Sequence, residues 1–145
     1  MIATRSPLAR LGIQAASPLA LVVAVFLFFA GHNRPGGGFA AGLVLGAVVA
    51  LRTVAGLQRP AHAVALLSAG GIIAGAVALG PVVAGDLLLD QVVVETTLPL
   101  LGTIKAGTSL VFDAGVTLIV VGLVVAVLEG LGATELAAPN REERR

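Results

Sequence analysis

Four long apolar runs constrain the fold of this chain more than any other feature of its sequence. They cover residues 9–31, 36–57, 63–84 and 108–130. A helix needs about 20 predominantly apolar residues to cross the roughly 30 Å hydrocarbon core of a bilayer, and each run has that length. The core offers no water to unpaired backbone groups, so such runs form helices. We therefore predict an all-α integral membrane protein, a single domain over residues 1–145 with four transmembrane helices.

The composition agrees with this class and excludes several others. Hydrophobic residues make up 57% of the chain and charged residues 12%, whereas a soluble domain carries about 25% charged residues. The absence of cysteine excludes disulfides and thiolate chemistry. Two distant histidines make a histidine metal site unfavourable, and no basic patch with interleaved aromatic residues indicates nucleic acid as a partner. We expect neither a cofactor nor enzymatic activity.

The distribution of Lys and Arg predicts the orientation of the four spans. The first run exceeds the roughly 7–15 apolar residues of a signal-peptide core, so we assign it to a span. Seven basic residues then share the side of the termini, and Arg34 and Lys105 lie on the other. The seven are Arg5, Arg10, Arg52, Arg59, Arg141, Arg144 and Arg145. Because cytoplasmic loops carry the Lys/Arg excess, we predict cytoplasmic termini, an outer loop over residues 85–107 and a cytoplasmic tail over residues 131–145.

The outer loop differs from the rest of the chain. Asp86, Asp90 and Glu95 interrupt its Leu and Val runs, and Pro99 follows. Its apolar stretches are too short to span the bilayer. We assign it no secondary structure.

A glycine-rich corner joins the first two spans, at residues 31–39. Arg34 precedes a proline, which disfavours helix at Arg34, and Pro35 suits the first turn of a new helix. The three glycines Gly36, Gly37 and Gly38 permit unusual backbone angles or a close approach of another backbone. A simple membrane hairpin is the alternative, but it needs fewer glycines, so we predict a packed corner. The segment lacks the Gly-Lys-Ser/Thr ending and the preceding strand of a phosphate loop.

Glycines spaced four residues apart predict helix-packing faces. In the second span Gly38, Gly42 and Gly46 share one face, and the third span carries Gly71 and Gly75. Gly122 begins the same spacing in the fourth span. Small residues at this spacing allow helix backbones to approach closely. The alternative is that these glycines only reflect the glycine-rich composition of membrane helices.

Asp113 is the ionisable residue deepest inside a predicted span. It lies about 9 Å beyond Gly107 along a helix, at a rise of about 1.5 Å per residue. Ser109 and Thr117 lie one turn before and one turn after it, on the same face. A carboxylate at this depth is costly unless it is paired, protonated or hydrated. Two interpretations stay open: Asp113 tethers its helix to a neighbour, or it borders an ion or proton path.

Two segments of the sequence resemble the landmarks of one family. The first is His32-Asn33-Arg34-Pro35-Gly36-Gly37-Gly38-Phe39, which is similar to the HN-x-PGGGF signature of the B subunit of Mrp-type multisubunit sodium/proton antiporters. The second is Phe112-Asp113-Ala114-Gly115-Val116, which is similar to the FD-x-GV motif of that family. Their order and the four-span layout match as well, over residues 8–132. The chain departs from the family in lacking Trp and Tyr, the usual interfacial anchors.

The resemblance implies a small subunit of an antiporter in the cytoplasmic membrane of a bacterium or archaeon. Its partners would be membrane lipid and subunits of the A, C, D, E, F and G types, and the complex would transport sodium and protons. The family assigns this subunit no established catalytic site. The alternatives are the equivalent subunit of a hydrogenase- or complex I-related complex, a stand-alone small transporter using Asp113, and a purely structural scaffold.

Overall fold

A computed structural model describes residues 6–31, 36–84, 93–98 and 102–132 of the chain. These ranges form α1 (Pro7–Ala30), α2 (Gly38–Val54), α3 (Ala63–Ala84), β1 (Val93–Leu98), β2 (Gly102–Gly107) and α4 (Thr108–Gly130). Helices α1, α3 and α4 are long and apolar enough to cross a membrane, and α2 is a shorter apolar helix. The prediction of a four-helix membrane protein is confirmed. His32, Asn33, Pro35, the loop segments 85–92 and 99–101 and the tail residues 133–145 lie outside the described residues.

A capping serine and a proline mark the start of α1, and a second proline lies inside the helix. Ser6 is the N-cap, its hydroxyl accepts from the Ala9 N–H at 3.4 Å, and Pro7 occupies the first turn. A proline is suited to that position because the first helical N–H groups have no intrahelical acceptor. Pro18 lies in the interior of the helix. The neighbouring Ser17 hydroxyl donates to the Ile13 carbonyl at 2.6 Å.

Helix α2 is shorter at both ends than the apolar run that contains it. It covers 17 residues, Gly38–Val54, whereas the run covers 36–57. At its end the Gly56 N–H donates to the Thr53 carbonyl and the Leu57 N–H donates to the Arg52 carbonyl, at 2.9 and 2.8 Å. Together with a φ of +68° at Gly56, this is a Schellman motif, which satisfies the last carbonyls and ends the helix.

Helix α4 lies between α2 and α3 in the helix bundle. Helices α2 and α3 both pack against α4, and α1 packs mainly on α2, which gives the spatial order α1, α2, α4, α3. At the end of the bundle where α3 begins, the Glu129 carboxylate accepts from the Ala63 N–H at 3.4 Å. This contact places a negative charge at the N-terminus of α3, where the helix dipole favours it. It also ties the end of α4 to the start of α3.

An antiparallel β-hairpin occupies part of the predicted outer loop, to which we assigned no secondary structure. Its register pairs Val93 with Gly107, Glu95 with Lys105, and Leu98 with Gly102. Strand β2 ends at Gly107 and α4 begins at the next residue. Short β-branched segments such as Val93–Leu98 form a strand only when a partner strand satisfies their backbone groups, so the pairing could not be read from either segment alone.

Candidate functional site

The two motif segments of the sequence meet in space, at the contact between the start of α2 and the first turns of α4. The closest approach is between Gly38 and Asp113. A Cβ built on Gly38 would overlap the backbone carbonyl of Asp113, and both residues belong to motifs identified from the sequence. The backbone of α2 therefore touches the backbone of α4 at a position where any side chain would prevent contact. We call this contact, formed by Gly37, Gly38, Asp113 and Thr117, the motif junction.

Each of the three motif glycines is required for a different physical reason. A Cβ on Gly36 would lie 2.6 Å from the Leu27 carbonyl oxygen, so the end of α1 excludes a side chain there. Gly37 has a φ of +91° and a ψ of −177°, a backbone region essentially restricted to glycine. Gly38 is excluded from carrying a side chain by Asp113. The run of three glycines is therefore a packed corner in which no position tolerates an ordinary residue.

The corner also completes the hydrogen bonding of α1. The Gly37 N–H donates to the Leu27 carbonyl at 2.9 Å. Leu27 is one of the last four residues of α1, whose carbonyls have no intrahelical donor. The N-cap residue of α2 thus satisfies a carbonyl at the end of α1 and links the two helices.

The Asp113 carboxylate lies beside the N-terminus of α2. A Cβ built on Gly37 would lie 3.6 Å from Oδ2 and 3.7 Å from Oδ1 of Asp113. Gly37 is buried and Asp113 is half-buried. The exposed N–H groups of a helix start carry partial positive charge, which stabilises a nearby carboxylate by about 0.3–1 kcal/mol and up to about 2 kcal/mol when partly buried. The position of the carboxylate fits a tether that holds α2 to α4.

Thr117 supplies the side-chain hydrogen bond of the motif junction. Its hydroxyl lies 3.0 Å from the Gly38 carbonyl oxygen and 2.8 Å from the Asp113 carbonyl oxygen, and it can donate to either. One hydroxyl hydrogen is thus shared between α2 and α4. Ser109, the third residue of the predicted polar stripe, is half-buried one turn before Asp113.

Thr117→Val is expected to destabilise the protein by about 0.6–1 kcal/mol, because it removes this hydrogen bond without changing the side-chain shape. Thr117→Ser, which keeps the hydroxyl, is expected to cost less. Thr53→Val is the matched control, since the buried Thr53 hydroxyl has no hydrogen-bond partner among the described residues. Thermal unfolding of the purified variants in detergent measures all three. Equal losses for Thr117→Val and Thr53→Val would contradict a specific role for the Thr117 hydroxyl.

Below the motif junction, the glycine face of α2 continues along α4. A Cβ on Gly42 would lie 2.8 Å from Val120 Cβ, and one on Gly46 would lie 2.8 Å from Val124 Cγ2. Both glycines are buried. The four-residue spacing thus lies along the α2–α4 contact. Phe39, the last residue of the first motif, is instead 59% exposed.

A second set of small residues joins α3 to α4. A Cβ on Gly115 would lie 2.8 Å from the Ala74 backbone nitrogen, and one on Gly70 would lie 2.6 Å from the Gly115 carbonyl oxygen. A Cβ on Gly122 would lie 3.0 Å from the Leu66 Cβ. Gly115 therefore gives the second motif a packing role on the α3 side, opposite the Asp113 side. Within this contact, the backbones again approach each other directly.

Gly71 and Gly75 do not form the α3 packing face toward the other described helices. A Cβ at either position would meet nothing within 4 Å. The contact uses Gly70 and Ala74 instead, one residue earlier in the chain. This pair has the same four-residue spacing, so the sequence signal was present, but α3 carries small residues on more than one face. A shift of one residue rotates the face by about 100° and changes which face meets α4.

The described residues do not assemble a metal site. Across residues 6–31, 36–84, 93–98 and 102–132, no group of three or more His, Asp or Glu side chains could hold a metal ion. Asp113 and Glu129 lie near opposite ends of α4. The chemistry that the motif junction offers is therefore one carboxylate and one hydroxyl between two closely packed helices.

Similarity to known proteins covers most of the chain. A family model described as "Domain related to MnhB subunit of Na+/H+ antiporter" matches residues 8–126. The B subunit of the Na(+)/H(+) antiporter of Bacillus subtilis is 33% identical over 122 residues, which cover 79% of this chain and 85% of the relative. A putative antiporter subunit mnhB2 of Staphylococcus saprophyticus is 37% identical over 114 residues, covering 74% and 81%.

One similar fold occurs in a solved assembly. A chain in the structure of the Mrp complex from Dietzia sp. DQ12-45-1b superposes with a TM-score of 0.73 at 30% sequence identity. The match covers 88% of the present chain and 15% of that chain. The fold described above is therefore similar to one part of a much longer polypeptide.

Proposed function

The chain belongs to the family of domains related to the MnhB subunit of Na+/H+ antiporters, and we propose that it is a small membrane subunit of a multisubunit sodium/proton antiporter. The observation that carries this proposal is the family match over residues 8–126, which includes both motif segments and most of each of the four helices. The proposed role is that of a transporter subunit and not of an enzyme. Its proposed location is the cell membrane, as a multi-pass protein.

The structure supports a role within an assembly. Of the 24 residues of α1, Ala24 is the buried one, and large apolar side chains such as Phe26 and Phe29 are 61% and 64% exposed. Lipid covers such surfaces in a membrane, but they also suit contact with other apolar helices. We propose that the partners are the other antiporter subunits, of the A, C, D, E, F and G types, with membrane lipid around them. Sodium and protons are then cargo of the whole complex.

The proposal is tested by expressing the complete set of subunits with a tagged copy of this chain. Purification in mild detergent is expected to recover the other subunits together with it. Everted vesicles containing the full set are expected to exchange sodium for protons, measured with a pH-sensitive dye, and vesicles lacking only this chain are expected to lose the exchange. Exchange by vesicles that contain this chain alone would instead indicate a stand-alone transporter.

We propose that both termini are cytoplasmic and that the glycine-rich corner faces the outside, because the Lys/Arg distribution favours this orientation. The chain has no cysteine, so Arg34→Cys and Asn140→Cys each provide a single reactive thiol. In intact cells, an impermeant thiol reagent is expected to label the first variant and not the second. Both are expected to react after the cells are broken. Labelling of position 140 with protection of position 34 in intact cells would reverse the topology.

A further inference from the structure

The backbone of α1 has an interrupted hydrogen bond in its membrane-spanning part. Pro18 lies inside the helix and has no N–H, so the Gln14 carbonyl loses its normal intrahelical donor. The nearby Ser17 hydroxyl does not replace it, since it donates to the Ile13 carbonyl at 2.6 Å. The Gln14 carbonyl is therefore an acceptor that requires a donor from outside the regular helix.

The side chain of Gln14 adds a second polar group at the same place. It is exposed, and its carboxamide has no hydrogen-bond partner among the described residues. Gln14 and Pro18 are one turn apart on a face that continues through Leu21 and Val25, which are 52% and 51% exposed. We call this surface the Gln14 face. Ala24, the buried residue of α1, lies about 80° around the helix from Gln14.

The depth of these groups makes an unpaired arrangement unfavourable. Gln14 lies five residues inside the predicted span, which begins at residue 9, or about 7.5 Å along the helix. Its carbonyl points further along the helix, toward Pro18. An unsatisfied backbone group in hydrocarbon costs several kcal/mol, and membrane proteins satisfy carbonyls freed by proline with neighbouring helices, hydroxyls or ordered water. Among the described residues, no backbone N–H from elsewhere in the chain donates to the Gln14 carbonyl.

We propose that the Gln14 face is an interface with a transmembrane helix of another subunit, whose hydroxyl or amide side chain donates a hydrogen bond to the Gln14 carbonyl. The Gln14 carboxamide can both donate and accept hydrogen bonds, and it pairs with polar groups of that partner helix. Interhelical hydrogen bonds of this kind contribute to helix association in membranes. The proposal rests on the proposed function, because the partner is a subunit of the same assembly.

Photo-crosslinking from the Gln14 face tests this interface. The photoreactive residue p-benzoylphenylalanine is placed at position 14 or, as a matched control, at position 12. Gly12 lies only two residues away but about 160° around the helix, and an added Cβ there meets nothing within 4 Å. In the purified complex, position 14 is expected to crosslink to one other subunit several-fold more efficiently than position 12. An intact complex with no subunit crosslink from position 14, or with equal crosslinking from both positions, would overturn the proposal.

A smaller probe covers the case in which the bulky residue at position 14 prevents assembly. Spin labels on Gln14→Cys and Gly12→Cys report access of oxygen, which is concentrated in the lipid, and of a water-soluble nickel chelate. On assembly, oxygen access to position 14 is expected to fall several-fold, with little change at position 12, and nickel access to position 14 is expected to stay low. Unchanged oxygen access at position 14 would show that lipid covers the face, and high nickel access there in the assembled complex would show that water does. Co-purification of the unmodified chain with its partners tests the proposed function separately.

Discussion

Gly38→Ala is expected to disrupt the protein, although it adds a single methyl group. The added Cβ would overlap the backbone carbonyl of Asp113, and a backbone contact cannot be relieved by a change of rotamer. Overpacking of this kind costs about 1–3 kcal/mol and occasionally more, so we expect a loss of about 3 kcal/mol or more. The loss is measured as a lower unfolding temperature of the purified chain and as a smaller fraction of assembled complex on a native gel.

Gly71→Ala is the matched control for this prediction. It makes the same chemical change within a helix, at a position where an added Cβ meets nothing within 4 Å. It is expected to be neutral or slightly stabilising for the chain itself, because alanine favours a helix more than glycine does. If both variants unfold at the wild-type temperature, α2 and α4 do not approach as closely as the motif junction requires. If Gly71→Ala impairs only assembly, the open face of α3 contacts a partner.

Asp113→Leu is the second change for which we expect a large effect. Leucine removes the negative charge beside the start of α2, and its branched side chain would have to occupy the space against Gly37, where the carboxylate now lies. The lost interaction with the helix terminus alone is worth up to about 2 kcal/mol in a partly buried position. We expect less assembled complex and correspondingly less exchange in everted vesicles.

Asp113→Asn separates the two roles that the sequence left open for this residue. Asparagine is nearly isosteric with aspartate and still accepts hydrogen bonds, but it cannot ionise. Asparagine loses the charge beside the start of α2 but keeps the shape and the acceptor, so a tether predicts that assembly and sodium/proton exchange largely survive this change, with a smaller loss than for Asp113→Leu. Normal assembly with exchange largely abolished, or with its pH dependence shifted, would instead place Asp113 beside an ion path.

The helices were predictable because their signals are local. Four apolar runs predicted four helices, and the bounds of α3 and α4 in the structure are those of their runs. The ends of α2 were less predictable, because an apolar run does not show where a helix stops. The Schellman motif at Gly56 ends α2 at Val54, although the apolar run continues to Leu57. The β-hairpin was missed because its strands are defined by pairing and not by either segment alone.

The motif junction was predictable only in part. Gly38 and Asp113 were both selected from the sequence, the first for its spacing and its motif and the second for its charge inside a span. Neither local pattern showed that they meet, since positions 38 and 113 lie 75 positions apart in the chain. Their contact depends on the way α2 and α4 are rotated toward each other. That rotation follows from fitting whole helix surfaces together, which is a property of the folded chain.

The sequence by itself determined that this chain is a membrane protein with four apolar helices, and it selected the glycines and the carboxylate of the motif junction. Hydropathy and the length of each apolar run are sufficient for that. The hydrocarbon core contains no water, and a helix satisfies its backbone hydrogen bonds internally. Only the tertiary structure decided which faces meet: Gly42 and Gly46 against α4, and Gly70 where Gly71 and Gly75 were expected. Neighbouring positions on a helix differ by about 100° in direction, so several small-residue faces remain equivalent until a partner helix packs against one of them.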